Sequence, residues 1–178
     1  NVINDLTRRM QKKQEWAKTM DLYGLVDEFG QSILYEMDYR NEASNVSLLA
    51  RNMAQFEDIH IPHVYSDLTT SKVMTMEYMP GVKISDVEHS EEAGWDRRQL
   101  ARSFVPAMVK QALFDGFFHA DPHPGNIFIL PDHRVCFIDY GMMGSIVDSD
   151  KELLADLLLA IHLRDVEGLK RSLLRFSW

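Results

Sequence analysis

The feature that most constrains this sequence is a short, proline-rich loop that carries several side chains suited to chemistry. The loop reads Phe118-His119-Ala120-Asp121-Pro122-His123-Pro124-Gly125-Asn126 and lies between a predicted helix and a predicted β-hairpin. Its two prolines and one glycine fix an irregular backbone, so the polar groups keep a fixed arrangement. A second carboxylate, Asp139, ends the following predicted strand and precedes Gly141. Any fold for this chain therefore has to place a rigid polar loop beside a hairpin.

The spacing of these polar residues indicates phosphoryl-transfer chemistry. Such a reaction needs a carboxylate that orients the attacking hydroxyl, and oxygen ligands for a Mg²⁺ ion that bridges the nucleotide phosphates. Asp121 can supply the first, and Asn126 and Asp139 can supply the second. The order His-x-Asp-x-x-x-x-Asn, followed across a hairpin by Asp-x-Gly, is that of the protein-kinase catalytic loop and its metal-binding aspartate.

The two histidines of the loop have less specific interpretations. His119 is expected to be a structural residue that bonds loop carbonyls, and His123 either approaches a phosphate or braces the loop. We assign both to loop support. The alternation His119-x-Asp121-x-His123 also allows a transition-metal site. The intervening prolines argue against that alternative.

Composition limits the classes of protein to which the chain can belong. Of its 178 residues, 46% are hydrophobic and 26% are charged, which is typical of a globular protein. The 27 acidic residues outnumber the 19 Lys and Arg residues, and the net charge of −8 argues against nucleic acid as a partner. Cys136 is the only cysteine, so intrachain disulfides and cysteine zinc clusters are excluded, and we expect a buried thiol. No apolar run approaches the ~20 residues that span a bilayer.

Hydrophobic periodicity predicts the elements of the first part of the chain. Apolar residues three and four apart predict one helix from about Leu25 to Met53. On that helix, Asp38, Glu42 and Asn45 are spaced so that their polar groups stack along one line. Two short strands are predicted next, at 59–62 and 73–79.

The second part of the chain predicts a different, mainly helical unit. Pro80-Gly81 marks a hinge between the two parts. The predicted elements beyond it are a helix from Asp96 that Gly116 ends, a hairpin of strands 126–130 and 134–138, and helices at 150–162 and 166–175. Together these elements predict an α+β fold in two unequal lobes, residues 1–79 and 80–178.

Three segments of the sequence resemble the UbiB/ADCK family of atypical kinases. They are the His119–Asn126 loop, the upstream run Glu36-Met37-Asp38-Tyr39-Arg40-Asn41-Glu42-Ala43-Ser44-Asn45, and Met76-Glu77-Tyr78-Met79-Pro80-Gly81, which is similar to the family's hinge. The resemblance covers nearly the whole chain. It implies a protein-kinase-like two-lobed fold, with a partial N-lobe of helices and short antiparallel strands and a mainly helical C-lobe. It also implies Mg²⁺ and ATP as cofactors, and an ATPase or kinase-like activity that supports isoprenoid-quinone (ubiquinone) biosynthesis or lipid homeostasis.

The resemblance also implies roles for individual residues. Asp121 matches the catalytic aspartate, and Asn126 and Asp139 match the metal ligands. The backbone of Glu77, Tyr78 and Met79 would receive the adenine of the nucleotide.

Further roles fall on the upstream helix. Glu36 and Asp38 match the family's Glu-x-Asp motif, which is linked to restraining protein-kinase behaviour. Glu42 matches the helix glutamate that pairs with the ATP-binding lysine. That lysine, the Lys-x-Gly-Gln segment and the alanine-rich nucleotide loop have no match in this sequence, so we expect the chain to be a central fragment that is inactive alone. Tyr140 stands where kinases usually carry Phe.

Partners and location follow from the resemblance alone. The implied partners are a nucleotide, and membrane lipid or isoprenoid-quinone precursors with their biosynthetic enzymes. The implied location is the cytoplasmic face of a bacterial membrane, or a mitochondrion or plastid. Two other functions stay open. A small-molecule phosphotransferase of the aminoglycoside or choline kinase type has a similar catalytic loop, but the Glu36–Asn45 run disfavours it. A pseudokinase-like binding module is suggested by the missing lysine and nucleotide loop.

Overall fold

A computed structural model describes residues 7–11, 18–86 and 96–176, apart from the side chains at positions 32, 34, 36 and 176. The helices are α1 (Leu22–Glu36), α2 (Tyr39–Met53), α3 (Arg97–Val109), α4 (Asp148–Leu163) and α5 (Val166–Phe176). The strands are β1 (Ile59–His60), β2 (Val82–Lys83), β3 (Phe117–His119), β4 (Ile127–Ile129), β5 (Val135–Phe137) and β6 (Met143–Ser145). The strands predicted at 59–62, 126–130 and 134–138 and the helices predicted at 150–162 and 166–175 are therefore confirmed, although each strand is shorter than predicted.

The strands form two small sheets on either side of the polar loop. Four strands lie in the order β1-β5-β4-β2, and β3 pairs with β6 in a second sheet. The predicted hairpin is antiparallel, with Phe128 opposite Cys136, while β1 runs parallel to β5 with Ile59 opposite Val135. Because β1 precedes the predicted hinge and the other strands follow it, this sheet joins segments from both sides of that hinge.

The prediction of one helix from about Leu25 to Met53 is wrong, because the chain breaks between α1 and α2. Asp38 has an extended backbone (φ −105°, ψ 97°) and caps α2, accepting a hydrogen bond from the N–H of Arg40 at 3.1 Å. The Asn41 amide donates to the carbonyl of Tyr35 at 2.8 Å and so bonds the last turn of α1. Aspartate at this position satisfies an N–H group that would otherwise lack a partner, and this favours a helix start over continuation.

The strand predicted at 73–79 is also absent. This segment forms only an isolated bridge between Val64 and Met76. The N–H of Tyr65 donates to the carbonyl of Thr75 at 2.9 Å, and the N–H of Glu77 donates to that of His63 at 2.8 Å. The alternation of apolar residues is present, but so short a ladder does not build a regular strand.

The hydrophobic core fixes α2 and α3 against the hairpin. Buried side chains from α2, α3, β1, β4 and β5 form one cluster, which includes Val46, Leu49, Met53, Leu100, Ala107, Ile127, Ile129, Val135 and Phe137. Cys136 is fully buried in an adjoining cluster, as predicted, and burial raises the pKa of its thiol to about 12. This packing brings the start of α2 close to the two loops that precede and follow the hairpin.

The helical segment that starts with α3 begins after Asp96 and ends at Gly116, as the sequence predicted. Asp96 caps it by accepting from the N–H of Arg98 at 2.8 Å. A π-helical turn, Lys110–Asp115, extends α3 to Gly116, which has φ 62°. A Cβ atom at Gly116 would lie 2.6 Å from the carbonyl oxygen of Ile146, so only glycine fits there. Within the described part of the chain, no helix has the length and apolar character needed to cross a membrane.

Candidate active site

A cleft of about 270 Å³ brings together five of the eleven site residues that the sequence predicted. It lies between the start of α2 and the two loops that flank the hairpin. Its lining residues are Tyr39, Glu42, His119, Asp121, Asn126, Asp139, Gly141 and Met142. Residues that are far apart in the sequence therefore meet in one concave site.

Asn126 and Asp139 lie side by side at the open end of the hairpin. The amide Nδ2 of Asn126 is 3.5 Å from Oδ2 of Asp139. The N–H of Ile138 donates to the carbonyl of Asn126 at 3.0 Å and holds the two strand ends together. Proteins usually hold Mg²⁺ through one or two oxygen ligands plus substrate phosphates. This pair of oxygen-bearing side chains fits such an ion.

Asp121 lies in the same cleft on a tightly held backbone. Its N–H donates to Nδ1 of His119 at 3.3 Å, and its carbonyl accepts from the N–H of His123 at 2.7 Å. The residue itself is exposed. The loop therefore presents the carboxylate to the cleft while its main chain is fixed.

His119 lies beneath the loop and is only 2% exposed. Because its Nδ1 accepts a hydrogen bond, the neutral ring carries its proton on Nε2, which is buried and has no hydrogen-bond partner among the described residues. Burial lowers the pKa of His119, while the backbone and charge of Asp139 and the charge of Asp121 oppose that shift. The ring packs 5.3 Å from that of Phe137 and is a neutral support for the loop.

His123 braces the loop from its exposed side. Its Nδ1 accepts from the N–H of Gly125 at 3.0 Å and caps the 3-10 turn Pro124–Asn126. Of the two roles left open for His123, the geometry favours bracing. Across the described ranges, no three His, Cys, Asp or Glu side chains are grouped so that they could hold a metal ion. The His-x-Asp-x-His zinc alternative therefore has no geometric support.

Glu42 and Asn45 both bind the backbone of Tyr140. The N–H of Tyr140 donates to Oε1 of Glu42 at 3.2 Å, and Nδ2 of Asn45 donates to the carbonyl of Tyr140 at 3.0 Å. Burial raises the pKa of Glu42; the N–H of Tyr140 lowers it, and the charge of Asp139 raises it further. In this structure, Glu42 thus binds the loop that follows Asp139, where the resemblance implied a lysine partner.

Asp38 of the Glu-x-Asp pair lies apart from the cleft lining. Asp38 caps α2, and its carboxylate pairs with the guanidinium of Arg40 at 2.5 Å. The hydrogen bond from Arg40 lowers the pKa of Asp38. The expected stacking of Asp38 with Glu42 and Asn45 is therefore wrong, because Asp38 precedes the helix. Glu36 is the last residue of α1, and its side chain lies outside the described part of the structure.

The predicted adenine-binding segment lies outside the lining of the cleft. Oε2 of Glu77 accepts from the N–H of His63 and contacts Nε2 of His60, both at 3.0 Å. Tyr78 is 85% exposed, whereas Met79 is buried in the cluster that contains Cys136. A role in nucleotide binding for these three residues stays a prediction.

Sequence reasoning missed the residue that fixes His119. Gln111 is fully buried, and its Oε1 accepts from the N–H of His119 at 3.0 Å. The available signal was a polar residue within the apolar stripe of a predicted helix. A buried polar side chain at such a position has to find a partner.

The raised pKa of Glu42 predicts a pH-dependent effect of Glu42→Gln. A carboxyl whose pKa is higher in the folded state adds stability below its ordinary value of 4.5, and that contribution is lost as pH rises through the raised pKa. We expect Glu42→Gln to gain stability relative to the parent protein as pH rises above 4.5, since the amide oxygen still accepts from Tyr140. Urea unfolding across this pH range measures the difference, and a variant that loses relative stability as pH rises would contradict it.

Glu77→Gln is the matched comparison, because the pKa of Glu77 is shifted the other way. The hydrogen bond from the N–H of His63 lowers this pKa against the effect of burial, and His60 and Arg134 lower it further. The ionised carboxylate therefore stabilises the fold above its ordinary pKa, and this is lost as pH falls. In the same assay, Glu77→Gln should be less stable than the parent protein at neutral pH, with a difference that narrows on acidification.

Comparison with known proteins identifies similar sequences over nearly the whole chain. Residues 2–173 match the family described as the ABC1 atypical kinase-like domain. The chain is 36% identical over 178 residues to the Arabidopsis thaliana protein named ACTIVITY OF BC1 COMPLEX KINASE 8, chloroplastic, with 99% of this chain and 23% of that protein covered. It is 34% identical over 168 residues to the probable protein kinase UbiB of Vibrio vulnificus, with 92% of this chain and 31% of that protein covered. The chain thus spans less than a third of the length of these relatives.

A solved structure has the same fold. The complex of Rv3197 with erythromycin, from Mycobacterium tuberculosis, aligns with a TM-score of 0.63 and 24% sequence identity over 93% of this chain and 43% of that one. Together with the family match, this alignment confirms the predicted α+β kinase-like fold. The family match and the two relatives confirm the family resemblance noted in the sequence.

Proposed function

Because the chain belongs to the ABC1 atypical kinase-like family, we propose that it binds Mg-ATP in the cleft and forms part of a UbiB-type kinase or ATPase. One observation carries this proposal. Asp121, Asn126 and Asp139 line the same cleft, although the sequence separates them by a rigid loop and a hairpin. Membership of a kinase-like family supports phosphoryl transfer as the general class of reaction.

Each cleft residue has a proposed task. The carboxylate of Asp121 orients the hydroxyl or water that attacks the terminal phosphate. Asn126 and Asp139 hold Mg²⁺, which offsets charge on the phosphates when bound. The backbone at 77–79 receives the adenine. His119 and His123 keep the loop in place through their hydrogen bonds to the N–H groups of Asp121 and Gly125.

The wider role that we propose is support of isoprenoid-quinone biosynthesis or lipid homeostasis. The Vibrio relative is named a probable protein kinase UbiB, and plant relatives are named as chloroplastic. We therefore place the chain at the cytoplasmic face of a bacterial membrane or in an organelle. Its proposed partners are membrane lipid or quinone precursors and the enzymes that process them.

Thermal unfolding with and without MgATP tests the nucleotide site. A ligand that binds only the folded state stabilises it by RT ln(1 + [L]/Kd), about 2.7 kcal/mol at 100 times Kd. We expect MgATP to raise the Tm of the parent protein, EDTA to cancel the rise, and Asp139→Asn to abolish it.

Asp67→Asn is the control for the loss of one negative charge. Asp67 is exposed in the 3-10 turn Ser66–Leu68 and does not line the cleft. This variant should respond to MgATP as the parent protein does. A parent protein without a magnesium-dependent shift, or an Asp139→Asn variant that keeps it, would contradict the proposal and favour the pseudokinase-like alternative.

A further inference from the structure

The residue that follows Asp139 is held by two side chains of helix α2. Glu42 accepts from the N–H of Tyr140 at 3.2 Å, and Asn45 donates to the carbonyl of Tyr140 at 3.0 Å. These contacts join residues 98 and 95 positions apart in the sequence. Both backbone polar groups of Tyr140 are therefore bonded to the same helix.

The peptide between Tyr140 and Gly141 links Asn45 to the candidate metal ligand. Its carbonyl accepts from Asn45, while its N–H donates to Oδ1 of Asp139 at 3.0 Å. A trans peptide is planar, and its C=O and N–H point in opposite directions. By fixing the carbonyl on one side, Asn45 aims the N–H at the Asp139 carboxylate on the other.

Both ends of this connection are rigid. Asn45 precedes Val46, and α2 is anchored in the core by Val46, Leu49 and Met53. The Tyr140 ring is fully buried, and its hydroxyl donates to the carbonyl of Phe137 at 2.5 Å. The helix and the ring therefore hold the peptide plane from two directions.

We propose that Asn45 is a positioning residue for the Asp139 carboxylate, acting through the Tyr140–Gly141 peptide. Without the Asn45 amide, the peptide plane can rotate, and the N–H of Gly141 no longer holds Oδ1 of Asp139. The second carboxylate oxygen then loses its fixed place beside Asn126. The part of this inference that concerns Mg²⁺ rests on the proposed function.

Asn45→Ala tests the inference, and Asn41→Ala is a matched control. Asn41 lies on the same helix, and its amide also donates to a backbone carbonyl, that of Tyr35 at 2.8 Å. The two variants thus remove the same chemical group and one hydrogen bond of the same kind. Of these two asparagine side chains, Asn45 bonds the loop after Asp139, whereas Asn41 bonds the last turn of α1.

Two readouts separate positioning from general stability. Hydrogen exchange of the Gly141 amide, followed by NMR without ligand, should be about tenfold faster in Asn45→Ala and unchanged in Asn41→Ala, as expected for one lost hydrogen bond. Calorimetric titration with MgATP should give about tenfold weaker binding for Asn45→Ala alone. If Asn45→Ala does not fold, Asn45→Ser leaves a hydroxyl too short to reach Tyr140 and replaces it in both assays.

Each outcome decides the inference. Unchanged Gly141 exchange in the Asn45 variant overturns it, whatever happens to nucleotide binding. Faster exchange with unchanged MgATP affinity overturns the link to the metal site. A parent protein that does not bind MgATP overturns the proposed function, and the Mg²⁺ part of the inference falls with it. Faster exchange with weaker MgATP binding, both absent from Asn41→Ala, supports it.

Discussion

Replacing Tyr140 by alanine is expected to destabilise the protein by about 3 to 5 kcal/mol, the usual cost of removing a buried aromatic ring. The side chain is fully buried in the main core cluster, and its ring lies 6.1 Å from that of His119. The change also leaves the carbonyl of Phe137 without its hydroxyl donor. In a chain of this size, the loss corresponds to a fall in Tm of roughly 10 °C. Urea unfolding at neutral pH measures it.

Two further variants help to interpret this loss of stability: one isolates the hydroxyl of Tyr140, and the other is an exposed control. Tyr140→Phe keeps the ring and removes only the bond to Phe137, so we expect a loss of about 1 kcal/mol. Tyr78→Ala removes the same ring from a residue that is 85% exposed, and should change stability by less than ~0.5 kcal/mol. Equal losses for Tyr140→Ala and Tyr78→Ala would contradict the buried position of Tyr140.

Replacing Gln111 by leucine is expected to cost about 1 to 3 kcal/mol, although leucine is similar in size and more hydrophobic. The side-chain oxygen of Gln111 is the acceptor for the N–H of His119, and both residues are buried. Leucine leaves that N–H unsatisfied in the core, and the desolvation cost of one unpaired donor sets the expected loss. Chemical denaturation of the parent protein and variant gives the value.

Gln99→Leu is the control for this change. Gln99 is exposed on α3, the helix that the π-helical turn extends to Gln111. The same substitution there should alter stability by less than ~0.5 kcal/mol. A Gln111→Leu variant as stable as the parent protein would mean that the N–H of His119 finds another acceptor.

Local sequence signals were enough to predict that Asp121, Asn126 and Asp139 lie close together. The spacing of Asp121, Asn126 and Asp139 depends on one loop and one hairpin, and both are specified by prolines, a glycine and alternating apolar residues. The end of the π-helical turn at Gly116 was predictable for the same reason, since glycine readily adopts the positive φ that ends a helix. The residues that specify each of these elements lie within it or next to it in the sequence.

The contacts between α2 and the loop after Asp139 could not be predicted in this way. Asn45 and Tyr140 are 95 residues apart, and the local sequence around either residue does not indicate that the two form a hydrogen bond. The break at Asp38 was missed because apolar periodicity continues across it, whereas the capping carboxylate decides where α2 begins. The prediction of a strand at 73–79 was wrong because a strand forms only where it pairs with another segment. Apolar periodicity carries no information about that pairing.

The sheet order β1-β5-β4-β2 has a mechanical consequence for the predicted hinge. Strands β1 and β2 lie at opposite edges of the sheet, about 14 Å apart at the usual strand spacing. The segment 61–81 between them is therefore a loop with both ends tethered to the same rigid hairpin. Met79, between Tyr78 and Pro80, is also buried in the cluster that contains Cys136 of β5, so the loop packs directly on the hairpin that separates Asn126 from Asp139. The segment proposed to receive adenine and the proposed metal ligands are thus joined to the same hairpin, and a displacement of one would be felt at the other.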